Sequence, residues 1–386
     1  MTHAALARLQ QGLAKARTEH LARTHTVRDG RSGAALEIDG ETLLAFCSND
    51  YLGLAADPAL VAAAHAALEV CGVGAGAAHL VSGQHRYHHE FETAFARFVG
   101  KPAALLFSSG YQANLGVIPA LAGRRSEVFA DRLNHASLVD GAQLSGAAFT
   151  RYRHLDLAQL EGQLAASKAA DKLIVSDLVF SMDGDIAPVD ALLDLAERHD
   201  AWLYLDDAHG FGVLGDGRGG LTERARASDR VIYLATLGKA AGVAGAAVAA
   251  HADVIAWLVQ TARTYVYTTA TPPLLAACLV ESLRQIAAGD ARRAHLAARI
   301  AQLRSGLAEL PRGTLMASQT AIQPLVIGDN AEVLRVAHAL RARGLWVPAI
   351  RPPTVPAGSA RLRITLSALH SEADITRLVE ALHAVI

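Results

Sequence analysis

Cysteine is scarce in this chain: Cys47, Cys71 and Cys278 are odd in number, widely spaced and form no Cys-x-x-Cys pair. Neither a disulfide framework nor a thiolate zinc site is suggested, and reduced thiols in the cytoplasm are the expectation. An excess of one sign of charge is also missing. The 36 Lys and Arg residues nearly balance 37 Asp and Glu, for a formal net charge of −1, which offers no field for nucleic acid or an anionic membrane. Any anionic substrate must then be met by individual arginines. Long apolar runs are absent as well. Arg8, Lys15, Arg17, Glu19 and Arg23 break up the amino terminus, which argues against a secretory signal and fits an amphipathic arm. The most apolar region, 231–260, is interrupted by Lys239, His251 and several glycines and does not make a transmembrane helix.

What is present is enough apolar material, 52% of 386 residues, for a large core in about two or three lobes. Between residues 103 and 250, apolar strand-like runs alternate with helical patterns: 103–107, 128–131, 173–180, 201–206, 231–236 and 245–250. That alternation predicts an α/β fold with a mostly parallel central sheet. A helix is expected over 188–200, with proline at its start and Val189, Leu192, Leu193 and Ala196 on one face. After Pro272-Pro273 come a long helical stretch over 274–310, a strand at 322–327, a helix over 331–343 stopped at Gly344, and strands around Trp346 and Leu362. The expected division is an arm over 1–45, a large α/β domain over 46–272 and a smaller α+β domain over 273–386.

The chemistry gathers at two runs, Asp206-Asp207-Ala208-His209 and Thr236-Leu237-Gly238-Lys239. A lysine amine can condense with an aldehyde cofactor if its surroundings keep it from being a fully solvated ammonium. Lys239 follows the apolar run 231–235 and is the one charged residue between Arg230 and His251. Asp206 ends the apolar run 201–205, at the carboxyl end of a strand, where open α/β sheets place their ligands. There a carboxylate can hold a pyridine nitrogen protonated and turn the ring into an electron sink, and His209 can donate to a phenolic oxygen. Taken alone, the two aspartates read as turn caps; with Lys239 downstream, pyridoxal 5'-phosphate becomes the better reading. Ser108-Ser109-Gly110-Tyr111 follows a strand and opens a helix, so its amides can cradle a phosphate.

Two other patterns are set aside. Gly72-Val73-Gly74-Ala75-Gly76 follows a helical pattern rather than a strand and has no third glycine at Ala77, so a nicotinamide oxidoreductase is the remote alternative. His85 and His89 are four apart but lack a His-Glu-x-x-His order and a third ligand, and read as a helix start. Arg361 and Arg363 alternate on one face of a strand, where a guanidinium fork can take a carboxylate in two places.

Asn49 to Leu54, Ser109 to Asn114, His135 to Leu138, Phe180 to Asp185, Asp206 to Gly210, Thr236 to Lys239 and Ile350 to Pro356 occur in the order of the α-oxoamine synthases, and the chain resembles that family over nearly its whole length. The resemblance implies the fold-type I PLP-dependent transferase fold. The activity it implies is decarboxylative condensation of L-alanine with a pimeloyl thioester, carried by coenzyme A or acyl carrier protein, in biotin biosynthesis. The glycine-using members, 2-amino-3-ketobutyrate CoA ligase and 5-aminolevulinate synthase, stand as the alternative. It further implies that Lys239 is the cofactor lysine and general base, that His135 stacks on the cofactor ring, and that Gly110, Tyr111, Ser181, Thr236 and His209 contact the cofactor. Thr268 and Thr269 would reach the phosphate of a neighbouring subunit in a homodimer. Arg363 with Asn49 would take the amino-acid carboxylate, and Thr354 and Arg23 the acyl substrate.

Overall fold

The structure, a computed structural model, describes residues 3–19, 21–23 and 25–386. The chain divides into two units that do not follow the expected boundaries: 49–181 with 185–295 form one, and 1–48, 182–184 and 296–386 the other.

The larger unit is built on a seven-stranded sheet. Its strands in chain order are β1 (Ala103–Phe107), β2 (Ser126–Asp131), β3 (Ala148–Tyr152), β4 (Asp171–Asp177), β5 (Ala201–Asp206), β6 (Val231–Thr236) and β7 (Ala246–Ala250). They lie side by side as β1-β7-β6-β5-β4-β2-β3. All neighbours are parallel except β7, which runs antiparallel to both β1 and β6. The expected mostly parallel sheet is therefore present. The strand at 148–152 is an addition to it: Ala-Phe-Thr-Arg-Tyr lies at the sheet edge, is exposed or half-buried up to Tyr152, and lacks the apolar run that marks a central strand. Central strands such as β5 and β6 are almost wholly buried. Helices Gly110–Leu121, Ala136–Ser145 and Ala252–Thr261 cover one face, where Val117, Ile118, Leu138 and Leu258 pack with Val128, Val175, Ile232 and Val248. Helix Val189–Arg198 buries the expected stripe of Val189, Leu192, Leu193 and Ala196.

The helical stretch after Pro272 is two helices, Pro273–Ala287 and Asp290–Gly306. The first packs against helices Pro58–Cys71 and Arg86–Val99, so it belongs to the larger unit and the boundary moves from 272 to 295.

The smaller unit also gathers the amino-terminal segment, because strand Glu41–Ala45 pairs in parallel with Leu345–Trp346 and Thr365 N–H donates to Phe46 O. A second, antiparallel sheet carries Ile322–Gly328 next to Ala360–Thr365. The helix expected over 331–343 spans Asn330–Arg341, and Gly344 follows at φ +75°. Helix Ala4–Thr18 buries none of its residues. No helix among the described residues is long and apolar enough to cross a membrane.

Candidate active site

The parallel strands of the larger unit end in polar residues on one edge of the sheet: Asp131, Asp177, Asp206 and Thr236. This is where open α/β sheets present their chemistry. A cavity of about 170 Å³ opens there, and Gly110, Tyr111, His135, Ser181, Asp206, His209, Thr236 and Lys239 line it.

Lys239 sits on the turn between β6 and β7. Leu237 N–H donates to Gly245 O at 2.9 Å and Gly242 N–H to Lys239 O at 2.8 Å, so the loop closes on itself. Gly242 has φ +70°, and a Cβ there would stand 2.5 Å from Ala55 N, which restricts this position to glycine. Lys239 Nζ lies 2.9 Å from His209 Nε2. His209 Nδ1 meets the Tyr51 hydroxyl, which donates to Asn49 Oδ1 at 3.2 Å. The Tyr51 hydroxyl thus stands between Asn49 Oδ1 and the His209 ring, and this contact ties the imidazole whose other nitrogen faces the lysine amine.

Asp206 is 4% exposed and both its oxygens are engaged: Oδ1 accepts Ala208 N–H at 3.1 Å and Oδ2 accepts Asn114 Nδ2 at 2.8 Å. Asp177 lies directly across from Asp206 in the β4–β5 register. Burial, and after it the charge of Asp206, push the Asp177 carboxyl well above the usual range; its Oδ2 accepts the His135 N–H at 2.6 Å. His135 opens helix Ala136–Ser145 as its N-cap. Helix Gly110–Leu121 points its amino terminus at the cavity, started by Ser109, whose hydroxyl accepts Gln112 N–H at 3.2 Å. A Cβ at Gly110 would come within 2.7 Å of Thr236 Oγ1, so glycine lets the helix start approach β6. The Tyr111 hydroxyl donates to Asp140, and its ring stands edge-on to His135 at 6.5 Å.

Ser181 follows Phe180, whose ring meets His154 edge-on at 4.5 Å. His154 bridges Asp131 Oδ1 at 3.1 Å and Asp185 Oδ2 at 2.6 Å. Burial alone would lower the pKa of His154, but the two carboxylates more than reverse this and lift it to about 10. A histidine whose folded pKa exceeds its unfolded value of about 6.5 stabilises fully below that pH and loses its contribution as pH climbs through the folded value. The melting temperature of His154→Gln should therefore fall furthest below wild type near pH 6, and the difference should fade toward pH 10. A difference that stays constant with pH would show that the bridge carries no charge.

In the smaller unit, Arg361 and Arg363 are both buried on strand Ala360–Thr365. Arg361 is ion-paired with Asp183 and donates to Met182 O at 3.2 Å, while Arg363 donates to Thr365 Oγ1 at 2.9 Å. Arg361 is thus committed to a structural pair instead of merely bordering a substrate site. Arg23 Nη2 lies 3.5 Å from Thr354 Oγ1, which brings together two residues expected to meet the acyl substrate. Thr268 and Thr269 do not line the cavity of their own chain; Thr269 forms a bridge with Ala78. His85 caps helix Arg86–Val99, and His88 donates through Nε2 to Thr271 O at 2.7 Å. The glycines 72–76 follow helix Pro58–Cys71, with Gly72 ending it.

Tyr51, Asn114, Ser137, Asp177 and Tyr204 were not singled out by sequence reasoning. Tyr51 and Asn114 stand inside recognisable runs, and Tyr204 shares a strand face with Asp206 two residues on; this spacing was the available signal.

The residues fit pyridoxal 5'-phosphate: an amine for the aldehyde, a buried, doubly held carboxylate for the pyridine nitrogen, and a helix amino terminus for the phosphate. A family model described as aminotransferase class I and II matches residues 41–382. The 8-amino-7-oxononanoate synthase of Thiobacillus denitrificans is 71% identical over 383 residues, covering 99% of both chains. Serine palmitoyltransferase from S. paucimobilis with PLP and myriocin bound has a TM-score of 0.92 at 28% identity, over 99% of this chain and 97% of that one. The 8-amino-7-oxononanoate synthase of Francisella tularensis has a TM-score of 0.77 at 29% identity, over 89% and 97% respectively. The chain belongs to the class I and II aminotransferase family, in the branch of the 8-amino-7-oxononanoate synthases.

Proposed function

We propose that this protein is a cytoplasmic, homodimeric enzyme that condenses L-alanine with a pimeloyl thioester. The products are 8-amino-7-oxononanoate, carbon dioxide and the free thiol carrier, in biotin biosynthesis. The observation that carries this reading is the cavity where Lys239, His209, Asp206 and His135 converge, in a chain 71% identical to a synthase of that name. Pyridoxal 5'-phosphate, when bound, supplies the electron sink for charge developing at the amino acid's α-carbon. Lys239 Nζ would hold the aldehyde, and the same amine, when free, would take the α-proton. Asp206 would keep the pyridine nitrogen protonated, and His209, 2.9 Å from the lysine amine, would orient it. Amides at the Gly110–Tyr111 helix start would hold the phosphate, with Ser181 and Thr236 as further polar contacts, and His135 would stack on the ring. Arg363, assisted by Asn49, takes the alanine carboxylate, and Arg23 and Thr354 serve the acyl substrate. Thr268 and Thr269, which do not line their own chain's cavity, would complete the phosphate site of the second subunit. In the balanced reaction the α-carbon gives up its proton and bonds to the acyl carbon as the thiolate leaves, the bond to the alanine carboxylate then breaks to release carbon dioxide, the α-carbon takes a proton back, and the thiolate takes one from solvent.

Incubating the cofactor-loaded protein with L-alanine or glycine and with pimeloyl-CoA or pimeloyl-acyl carrier protein tests this directly. Product of the expected mass should form with alanine and at least one pimeloyl donor; turnover with glycine alone, or with neither donor, overturns the assignment. Within the same assay Arg363→Lys should weaken alanine binding about ten- to hundredfold, because a point ammonium cannot reproduce the planar fork. Arg361→Lys should instead lower the melting temperature by disturbing the pair with Asp183. Titration with alanine, followed by visible absorbance, separates the two; equal weakening in both variants would place the carboxylate elsewhere.

A further inference from the structure

Asn114 is fully buried, and its carboxamide is used at every position. The Tyr204 hydroxyl lies 2.7 Å from Asn114 Oδ1. A carbonyl oxygen only accepts, so the phenol donates. The two Nδ2 hydrogens go to Asp206 Oδ2 and to Ser137 Oγ, each at 2.8 Å. The reverse placement of the amide would turn its oxygen against the Asp206 carboxylate, which only accepts, so the carboxylate fixes the orientation and the phenol donates to the oxygen it then meets. Having accepted from Asn114, the Ser137 hydroxyl spends its own proton on His135 Nδ1 at 2.7 Å, and Ser137 N–H points at the same nitrogen at 3.3 Å. His135 Nδ1 is therefore a lone-pair acceptor, and the ring proton sits on Nε2. One directed chain of hydrogen bonds starts at a buried tyrosine and branches to both Asp206 and His135.

We propose that Asn114 is a positioning residue for the reaction: braced by Tyr204, it holds the Asp206 carboxylate for the cofactor's ring nitrogen and, through Ser137, sets the tautomer of His135. The inference rests on the roles of Asp206 and His135 in the proposed function. The hydrogen bond from Asn114 fixes the direction in which the carboxylate is presented, and a carboxylate so held would favour the protonated ring nitrogen by charge pairing. A low-dielectric interior strengthens such chains and makes a missing link costly.

The test uses the holoenzyme loaded with cofactor labelled with ¹⁵N at the ring nitrogen, at one fixed pH. In Asn114→Leu the nitrogen resonance should move toward the neutral-pyridine position. Its kcat should fall about ten- to hundredfold, the worth of one hydrogen bond to a charged group, while KM for alanine changes little. Tyr204→Phe removes only the lock and should shift the resonance the same way by less. Ser137→Ala should leave the ring nitrogen alone and change the imidazole ¹⁵N pattern of His135. A merely structural role would lower the melting temperature of these variants without moving either nitrogen signal, and that result overturns the proposal. If Asn114→Leu does not give folded holoenzyme, an unmoved resonance in Tyr204→Phe overturns it alone. Asp206→Asn is the control: a wild-type ring-nitrogen signal there refutes the role of Asp206 itself, a failure distinct from that of the Asn114 chain.

Discussion

Lys239→Ala is expected to abolish turnover, the largest effect of any single change in this protein. The substitution removes both the amine that holds the aldehyde and the base that takes the α-proton, and a positioned general base alone contributes roughly 10²- to 10⁴-fold in rate. No neighbour can substitute. His209 Nε2, the ring nitrogen 2.9 Å away, belongs to a side chain tied to Tyr51 through its other nitrogen. It cannot form the covalent link, and without that link substrate and cofactor lose their common anchor. The variant should still fold, since Lys239 is only half-buried and the turn around it is held by backbone hydrogen bonds. Steady-state product formation checks the expectation, and a rate within tenfold of wild type would remove Lys239 from the mechanism.

Asp206→Asn should retain the cofactor but slow exchange of the alanine α-proton by roughly 10²- to 10⁴-fold, in line with about 3–5 kcal/mol for removing one partner of a buried charge pair. A neutral amide cannot favour a protonated pyridine. It also disturbs its own supports, because Asp206 accepts hydrogen bonds at both oxygens, from Ala208 N–H and Asn114 Nδ2, and an asparagine there would turn a donor against one of them. Loss of α-deuterium from labelled alanine, followed by NMR, reads the step without requiring the acyl donor. Exchange at the wild-type rate would mean that the ring is activated by another group.

The readability of the sequence varied with how locally each feature is determined. Strands β5 and β6 were legible because each is an apolar run that is buried on both faces and ends in a polar residue. Edge strand β3 was not, because a half-covered strand needs no such run. The domain boundary was misplaced for a different reason: helix Pro273–Ala287 has the same amphipathic pattern whichever core it packs on, and only its docking against Pro58–Cys71 and Arg86–Val99 assigns it to the larger unit. Lys239, Asp206 and His209 could be found because unusual charges follow apolar strands. Asn114 and Tyr204 could not, since a helical asparagine and a strand tyrosine are unremarkable until the fold brings them within 2.7 Å across 90 residues of sequence. Arg361 and Arg363 were correctly placed on one strand, yet their different engagements depend on Asp183, which is remote in sequence.

The antiparallel course of β7 bears on how the catalytic amine can move. Thr236 and Ala246 face each other in the last rung of the β6–β7 ladder, and the Leu237–Gly245 hydrogen bond continues it into the loop. The backbone under Lys239 is therefore a closed hairpin end with both stems in the middle of the sheet, not a hinge. Any excursion of Nζ between holding the aldehyde and collecting a proton has to come from rotation about the lysine's own side-chain bonds, a fast local motion compared with loop opening. The amides of Leu237 and Val243 should accordingly exchange with solvent deuterium slowly, and at the same rate whether or not the amine is occupied.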